Sequence, residues 1–484
     1  MGPNRRVGSH PQHARGLTVA SASAAHARAP HASEGPARGL PVPSLPPGPR
    51  APAVAQTLAW ALAPTWLLGR CMREVGEAFT LTFAPSGFQL VMLADPDAVK
   101  QVFTAPPELA PSGAANSPVA PVVGPNSVLV LTGPEHLRQR KLLLPPFHGE
   151  RMREYESTIV RASTEEMARW PLGRPMRMQN AARRITLEVI LSAVFGVDAQ
   201  RMAPMRSTIG ELLEPSRMLM VLRAALRGPR SERPDGALGA VLDRLDELLY
   251  AEIALRRQQS DLADRGDILS LLMQARDEQG AAMGDEELRD ELITLLLAGH
   301  ETTATTVAWA IERLVRHPAA LARLLAEIDA GEEDAYLEAV VNETLRVRPV
   351  VPIVVRALTG ELQVGEHLLP AGTRVAPCIY LTNRNPRVYE EPAEFRPERF
   401  LHGAPETFSW IPFGGGIRRC IGAAFAQLEA KLMLRTILSE LEPQMPRANI
   451  WRRGEPVRRR AITLVPAAGA RVAWRRRSAG RTRG

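Results

Sequence analysis

Cysteine, lysine and long apolar segments are all scarce in this chain of 484 residues. It has only three cysteines, Cys71, Cys378 and Cys420, which excludes a disulfide-stabilised extracellular scaffold and favours a reducing compartment such as the cytoplasm. The mean hydropathy is −0.12, and no apolar run approaches the roughly 20 residues that a membrane-spanning helix needs. We therefore expect a chain without an integral membrane segment.

Basic residues exceed acidic ones, but the excess lies at the two ends of the chain. The formal net charge is +8, which by itself suggests an acidic partner such as nucleic acid. Residues 1–50 contain six arginines against one acid, and residues 452–484 contain eleven against one, so the segment between them is net acidic. Neither end has zinc-finger spacing, an RNA-binding aromatic motif or a basic heptad region. We therefore expect no nucleic-acid partner, and DNA binding by the arginine-rich ends remains a minor alternative.

Composition divides the chain into three parts. Residues 1–45 are rich in Ala, Pro, Gly, Ser, Arg and His and show no apolar periodicity, so they cannot bury enough surface to offset the entropy of ordering. We predict a disordered basic extension there. Residues 46–474 contain no internal repeat or linker, which favours one large domain, and residues 475–484 form a basic tail.

The apolar periodicity predicts a mainly helical domain with a small β-rich part. Residues 79–83 and 89–93 alternate like two paired strands, whereas residues 134–345 are mostly helical in pattern. One helix is predicted over 285–317, ended by a proline, and it would span roughly 45–50 Å. Short strands and proline-rich turns follow residue 350, and a last long helix is predicted near 421–441.

The segment from Phe413 to Gly422, with the sequence FGGGIRRCIG, carries the most informative chemistry. Its glycines permit a tight turn with positive φ, and Cys420 lies where this loop meets a predicted helix. The helix N-terminus and the adjacent arginines favour the thiolate. A small buried cysteine is the simpler alternative, and a phosphate loop is disfavoured because no Lys-Ser/Thr pair follows. A lone cysteine cannot hold zinc or an iron–sulfur cluster, but it can be the only protein ligand of heme iron.

This segment resembles the cysteine-ligand loop of the cytochrome P450 family of heme-thiolate monooxygenases. The matching positions are Phe413, Gly414, Gly415, Gly416, Arg418, Cys420 and Gly422. The resemblance implies a triangular-prism fold, mainly α with a small β-rich lobe, that binds heme b between the 285–317 helix and the Cys420 loop. It also implies that Cys420 is the axial iron ligand and that Phe413 adjoins the heme. Three lysines against 57 arginines suit a GC-rich genome, and the resemblance is to a bacterial, actinobacterial-type member.

The segment from Ala298 to Thr303, AGHETT, is similar to the oxygen-activation motif of that family. The similarity implies that Ala298 and Gly299 adjoin heme, with Gly299 leaving room for dioxygen, and that Glu301 and Thr302 are catalytic. The Thr302 hydroxyl can bond near the Ala298 carbonyl, and Glu301 can relay protons inward. A threonine-rich helix with exposed charges is the simpler alternative. A zinc-protease motif is excluded because the second histidine is missing.

Four further residues match positions at which the family binds the heme propionates, namely His136, Arg140, Arg356 and Arg418. His136 and Arg140 are four residues apart, on one face of a predicted helix. Several cationic or donor groups around two carboxylates make physical sense, although each arginine taken alone is as well explained as a surface residue. Many relatives have Trp at the position of His136.

Glu343, Arg346 and Arg399 resemble the family's Glu-Arg-Arg structural network. The spacing of Glu343 and Arg346 places both on one helical face, where an ordinary surface pair is the simpler alternative. The resemblance implies a buried network that stabilises the heme-side core. Asn383 departs from the family pattern, since relatives often have His there.

The resemblance also implies partners. No dinucleotide-binding fingerprint, flavin domain or ferredoxin cysteine cluster occurs in the sequence, so we expect NAD(P)H electrons to arrive through a separate ferredoxin and ferredoxin reductase. We expect the ferredoxin to dock on the Cys420 side, near Arg138, Arg140, Lys141 and Arg419. The chain is expected to be a cytoplasmic monomer.

The family's substrate-contacting segments correspond roughly to 108–128, 205–230 and 350–356, which are apolar and contain methionine. They favour a hydrophobic substrate such as a fatty acid, terpene, sterol or polyketide, although core packing gives the same composition. A heme-binding sensor or carrier without turnover is the alternative function, and it would not need Glu301 and Thr302.

Overall fold

Helices make up most of the structure, and the strands are short. The computed structural model describes residues 43–113, 119–149, 151–196, 201–212, 234, 236–331, 333–403, 405–446 and 454–477. The helices are α1 (Ala53–Leu62), α2 (Pro64–Glu74), α3 (Pro96–Thr104), α4 (Ala120–Val123), α5 (Gly133–Leu143), α6 (Arg151–Glu154), α7 (Glu156–Met167), α8 (Met178–Phe195), α9 (Ala203–Leu212), α10 (Gly236–Arg257), α11 (Ile268–Gln274), α12 (Asp285–Arg316), α13 (Pro318–Ala330), α14 (Ala335–Val347), α15 (Ile379–Thr382) and α16 (Ala423–Glu440). The strands are β1 (Ala78–Phe83), β2 (Phe88–Leu93), β3 (Met176–Arg177), β4 (Arg356–Ala357), β5 (Leu362–Val364), β6 (His367–Leu369), β7 (Arg374–Pro377), β8 (Leu441–Gln444), β9 (Val457–Arg460), β10 (Thr463–Pro466) and β11 (Arg471–Arg476).

Several sequence-based predictions fall partly outside these residues. The predicted disordered extension over 1–45 lies outside them except for its last three residues, as does the basic tail from residue 478 onward. The predicted substrate segments lose residues 114–118 and 213–230 in the same way. The described residues all belong to one compact unit that begins at Val42.

The long helix α12 confirms the predicted central helix to within one residue. It contains 32 residues and is therefore about 48 Å long. At its start the Glu287 carboxylate accepts a hydrogen bond from the backbone N–H of Gly284 at 2.8 Å, which satisfies one otherwise unpaired amide. The helix ends at Arg316, because Pro318 begins α13 and proline cannot continue the preceding helix.

The main hydrophobic core surrounds α12. Most side chains between Leu288 and Leu314 are buried, and α8, α14 and α16 pack along the helix. Trp309 is fully buried, and its indole N–H donates to the Leu464 carbonyl at 3.0 Å, which joins α12 to β10. The helix therefore crosses the domain centre, as its length and composition predict.

The largest sheet has the strand order β1-β2-β7-β4 and forms the small β-rich part. Strands β1 and β2 are antiparallel, with Ala78 opposite Leu93, which confirms the strand pair predicted over 79–83 and 89–93. Strand β7 joins β2 in parallel and β4 antiparallel, so that Arg356 pairs with Val375. The sheet thereby fixes the backbone of Arg356, one of the predicted site residues.

Candidate active site

The glycine loop before Cys420 packs closely against the end of α3. Gly416 has a φ of 64°, in the left-handed region that favours glycine, and a Cβ built on it would lie 2.2 Å from the Phe103 carbonyl oxygen. A Cβ on Gly415 would lie 2.4 Å from the Phe103 ring. The Cys420 N–H donates to the Phe413 carbonyl at 3.0 Å, which closes the loop. Only glycine fits these positions, so the glycines fix the backbone that leads to Cys420.

The Cys420 thiol lies three residues before the start of α16 and is exposed on one side. The protein around the rest of the thiol raises its pKa, although the Gly422 N–H and the charges of Arg140 and Arg419 act in the opposite direction. In the chain alone, desolvation outweighs the stabilisation of the thiolate by the nearby positive charge. A metal ion would deprotonate a thiol that coordinates it.

The middle of α12 is open on one side. Ala298 is exposed and Thr302 is partly exposed, whereas the positions before and after this stretch are mostly buried. This stretch is therefore accessible although most of the helix is buried. The Thr302 hydroxyl donates to the Ala298 carbonyl at 2.8 Å, as the sequence predicts. Its oxygen lone pairs remain available as acceptors.

Gly299 differs from its sequence-based role. A Cβ at this position would lie 3.2 Å from Ile190 Cδ1 of α8, which is closer than ordinary carbon contacts. The space that the missing side chain leaves is therefore bordered by Ile190. The glycine permits close packing of α8 on α12, and the role predicted for it, leaving room for dioxygen, stays a prediction.

Glu301 is oriented toward α8. Its Oε1 lies 2.5 Å from the Arg183 guanidinium and 3.7 Å from that of Arg460, and the Gln179 amide is 3.5 Å away. Burial raises the pKa of Glu301 even though Arg183 lowers it. The sequence predicts a carboxyl that relays protons inward, and the structure adds that an ion pair holds this carboxyl.

A second carboxyl, which the sequence analysis does not select, lies beside the same part of α12. Glu429 of α16 is buried, and neither carboxyl oxygen has a well-formed hydrogen bond among the described residues. Burial raises its pKa to about 8, which the nearby Thr303 hydroxyl offsets only in part. The sequence could have indicated this burial. Glu429 lies four residues from both Phe425 and Met433, on the face of α16 that is buried.

Three of the predicted propionate partners line one cavity. His136 of α5, Arg356 of β4 and Arg418 of the glycine loop surround it together with Val102 and Phe103. Burial and the charges of the neighbouring arginines lower the pKa of His136 to about 4, so it is neutral at physiological pH. Burial likewise lowers the pKa values of Arg356 and Arg418 to about 10 each.

The three arginines near this cavity, Arg140, Arg356 and Arg418, have no acidic partner among the described residues. Arg418 donates to the carbonyls of Val128, at 2.8 Å, and Leu131, and Arg356 donates to its neighbour's carbonyl. Arg140 donates to the Arg419 carbonyl at 2.8 Å, beside the Cys420 loop. Buried arginines of this kind favour a bound anion. The donor set therefore fits the two carboxylates of heme b, and Cys420 supplies the one thiol that heme iron needs.

The predicted structural network is formed. Arg346 of α14 donates to both carboxylate oxygens of Glu343 at 2.7 and 2.8 Å, and both side chains are completely buried. Arg399 lies 3.6 Å from the same carboxylate. Arg346 also donates to three backbone carbonyls, those of Asn383, Pro392 and Glu394. The network thus fixes the chain that leads toward the glycine loop.

Asn383, the departure from the family pattern, extends this network. Its backbone carbonyl accepts from Arg346 at 3.0 Å, and its side-chain oxygen accepts from the Ile411 N–H at 2.9 Å. Ile411 lies two residues before Phe413, where the glycine loop begins. The asparagine therefore links the Glu343–Arg346 pair to the Cys420 segment, a positioning role that the sequence analysis did not assign.

Two of the four cations predicted to receive a redox partner are already paired. Arg138 lies 2.6 Å from Asp277 and 2.5 Å from Glu287, and Lys141 lies 2.5 Å from Glu278. Arg140 is half-buried, whereas Arg419 is exposed. The open positive charge near Cys420 is thus concentrated at Arg419, and the predicted docking surface is weaker than the sequence implies.

The fold and this site define a class, the heme-thiolate proteins, in which one cysteine binds iron and a ring of cationic and polar groups binds the propionates. The comparisons agree with that class. A family model described as Cytochrome P450 matches residues 46–464, and the chain belongs to the cytochrome P450 family.

Named relatives come from actinobacteria, as the sequence predicts. The chain is 41% identical over 461 residues to a Mycobacterium tuberculosis protein named cytochrome P450 137, covering 94% of each chain. It is 39% identical over 436 residues to cytochrome P450 135B1 of Mycobacterium bovis, covering 88% of this chain and 91% of the relative. These similarities identify a monooxygenase that uses heme b and receives NAD(P)H electrons through redox partners.

Solved structures confirm the fold. The crystal structure of the cytochrome P450DA heme domain superposes with a TM-score of 0.77 at 24% identity, covering 90% of this chain and 99% of that one. Retinoic acid-bound cyanobacterial CYP120A1 gives a TM-score of 0.73 at 22% identity, covering 90% and 100%. The predicted fold class, mainly α with a small β-rich lobe, is confirmed. No described helix is long and apolar enough to cross a membrane.

Proposed function

We propose that this chain inserts one atom of dioxygen into a hydrophobic organic substrate and releases the other atom as water, with two electrons and two protons supplied per turnover. The observation that carries the proposal is the accessible stretch of α12, where Ala298 is exposed and the back-bonded Thr302 is partly exposed within an otherwise mostly buried helix. When bound, heme b supplies the iron that activates dioxygen. The residues of this chain bind that heme, position the substrate and deliver protons.

Four polar residues are proposed to hold the heme carboxylates, His136, Arg140, Arg356 and Arg418. His136 acts as a neutral donor, since its pKa of about 4 keeps it uncharged at pH 7. Cys420 is proposed to ligate the heme iron. Phe413 would adjoin the heme, and its carbonyl accepts the Cys420 N–H, which fixes the backbone at Cys420. Ala298 of α12 would also adjoin the heme.

Glu301 and Thr302 are the proposed catalytic residues. The Thr302 hydroxyl donates a hydrogen bond to the Ala298 carbonyl, so its oxygen can accept a hydrogen bond from water. Glu301 holds the next proton at its carboxyl oxygens. Its ion pair with Arg183 must open or share a water before that proton reaches Thr302, so Arg183 is a positioning residue for proton delivery.

Glu343, Arg346 and Arg399 are proposed to act on stability alone, because their contacts are with each other, with backbone groups and with the Tyr389 ring. The catalytic domain is proposed to comprise residues 46–474, between the basic extension over 1–45 and the tail over 475–484. The three cysteines are free, which is consistent with a cytoplasmic location. A monomer is proposed as the functional unit.

The proposed electron donor is a small ferredoxin that a ferredoxin reductase reduces with NAD(P)H. We propose that it docks beside the Cys420 loop around Arg419, which is exposed and pairs with no acid among the described residues. An acidic partner approaching this side meets little competing negative charge at Arg419, whereas Arg138 and Lys141 are neutralised by the chain's own acids.

The proposed substrate is apolar, of the size of a fatty acid, terpene, sterol or polyketide. The segment before β4 supports this, since Val350, Val351, Ile353, Val354 and Val355 are all apolar. Val354 approaches to 3.8 Å of the Cβ position of Gly414 in the glycine loop. An apolar wall beside the cysteine loop favours a substrate that binds by burying hydrophobic area.

The test combines binding and turnover. Lipid-like compounds are screened for substrate-induced shifts of the Soret band, and the best ligand is incubated with a surrogate ferredoxin system under isotopically labelled dioxygen. We expect one labelled oxygen atom per product molecule. Thr302→Ala should retain the Soret shift and give less product per NAD(P)H, whereas Thr302→Ser should remain close to wild type. Binding without product from any tight ligand would instead indicate a heme-binding sensor or carrier.

A further inference from the structure

The loop that precedes α5 is held by carboxyl groups of α12. Asn126 donates to the Asp290 carboxylate twice, through its backbone N–H at 2.9 Å and through its side-chain amide at 3.0 Å. The Val128 N–H donates to the Glu291 carboxyl at 2.7 Å. Adjacent residues of the helix thus fix the loop at two points that are two residues apart.

The same loop lies directly on the helix. The hydroxyl oxygens of Ser127 and Thr294 are 2.7 Å apart. Because the Thr294 hydroxyl donates to the Asp290 carbonyl at 2.7 Å, it accepts the hydrogen bond from Ser127. Gly124 has a φ of 91°, and a Cβ built on it would overlap the Asp290 carboxylate. Glycine is therefore needed for this close approach of the loop to α12.

The backbone of Val128 also contacts the Cys420 loop. Its carbonyl accepts from the Arg418 guanidinium at 2.8 Å, and the Leu131 carbonyl accepts from the same guanidinium. Val128 is buried, and Glu291 is buried completely. Val128 therefore joins Glu291 of α12, through its N–H, to Arg418 of the Cys420 loop, through its C=O.

Glu291 binds the loop as a neutral carboxyl group. Burial raises the pKa of Glu291 to about 8, and the charges of Asp290 and Glu287 act in the same direction, whereas the bond from Val128 lowers it. The carboxyl therefore keeps its proton at pH 7. Its Oε2 has no partner among the described residues. The bond to Val128 is thus the one hydrogen bond that Glu291 makes within this part of the chain.

We propose that Glu291 is a positioning residue for Arg418 and acts through the backbone of Val128. The inference rests on the proposed function, in which Arg418 binds a heme carboxylate. The planar guanidinium keeps its orientation only while the carbonyls of Val128 and Leu131 stay in place. Without Glu291, the Val128 N–H becomes a buried donor with no partner, which is unfavourable. The loop must then move to pair it, and the Arg418 fork moves with the displaced carbonyls.

Heme release from the ferric holoprotein to excess apomyoglobin tests this role without turnover. Glu291→Leu accepts no hydrogen bond and should release heme about five-fold faster than the wild type. Glu291→Gln keeps an oxygen that accepts from Val128 and should stay within about two-fold of the wild type. Hydrogen exchange of the peptide over 124–131 should become faster in Glu291→Leu and not in Glu291→Gln. If Glu291→Leu does not fold, Glu291→Met serves as the same test.

A double-mutant cycle shows whether Glu291 acts through Arg418. Arg418→Gln should release heme faster than the wild type, and adding Glu291→Leu to it should change the rate by less than about two-fold, because residues that act as a unit are not additive. Glu455→Leu is the matched control. Glu455 is also buried and accepts backbone N–H bonds, from Ala468 and Ala470, but it lies before β9 and makes no bond to the Val128 loop among the described residues. Its heme release should stay within about two-fold of the wild type.

Three results would overturn the proposal. Heme release by Glu291→Leu at the wild-type rate, or equally fast release by Glu291→Leu and Glu291→Gln, would show that the bond to Val128 does not hold the site. Additive effects in the double variant would show that Glu291 acts independently of Arg418. These two results leave the proposed function intact. Release by Arg418→Gln at the wild-type rate would instead refute the proposed heme-carboxylate role of Arg418, and this inference with it.

Discussion

Replacing Arg346 with lysine should strongly destabilise the protein although it preserves the charge. Arg346 is completely buried and makes five hydrogen bonds, two to the Glu343 carboxylate and three to backbone carbonyls. An ammonium group has three donors and lacks the planar fork, so at least two of the five acceptors lose their partner. Each buried acceptor left unpaired costs about 1–3 kcal/mol, and the total is therefore about 2–6 kcal/mol.

This loss is large beside the roughly 5–15 kcal/mol by which a domain is usually stable. Urea unfolding of the holoprotein, followed by far-ultraviolet circular dichroism and by heme absorbance, measures it. Arg323→Lys is the matched control, because Arg323 forms an exposed pair with Glu398 at 3.4 Å and such pairs contribute at most about 1 kcal/mol. If Arg346→Lys unfolds within about 1 kcal/mol of the wild type, the buried network does not stabilise this core and the reasoning is refuted.

Three further predictions concern protons and electrons. Glu429→Gln should become more stable relative to wild type as the pH rises from about 5 to 8, by up to about 5 kcal/mol, because the folded state keeps a proton there that the unfolded state loses; a thermal-midpoint difference that is constant with pH would contradict this. Arg183→Gln should raise the pKa of Glu301 and move the acid limb of product yield per NAD(P)H to higher pH, and an unmoved profile would show that the ion pair does not affect proton delivery. Arg419→Glu should slow the first electron transfer in a salt-dependent manner, whereas Lys141→Gln, already neutralised by Glu278, should not, and equal effects of the two would refute the docking assignment.

Patterns within single segments of the sequence predicted the main helix, the glycine loop and the first strand pair. The helix over 285–316 was predictable because apolar periodicity and the terminal proline act within the segment itself. The glycines before Cys420 were informative for a similar reason, since a left-handed φ and close backbone approach leave few alternatives to glycine. The pairing of β1 with β2 followed from their alternation.

Properties that depend on residues distant in the chain were not predictable. The direction of Glu301 is set by Arg183, 118 residues earlier, and the space beside Gly299 is set by Ile190. The effect of burial on the Cys420 thiol was not predictable, because sequence shows neighbouring charges but not the degree of burial.

The central claim is that Cys420 is the thiolate ligand of heme iron. The direct measurement is the absorbance spectrum of the reduced, carbon monoxide-bound protein, in which thiolate ligation places the Soret band at about 450 nm. The wild type should show this band, Cys420→Ser should lose it, and Cys378→Ala, which alters a buried cysteine elsewhere, should retain it. Retention of the band in Cys420→Ser would contradict the assignment.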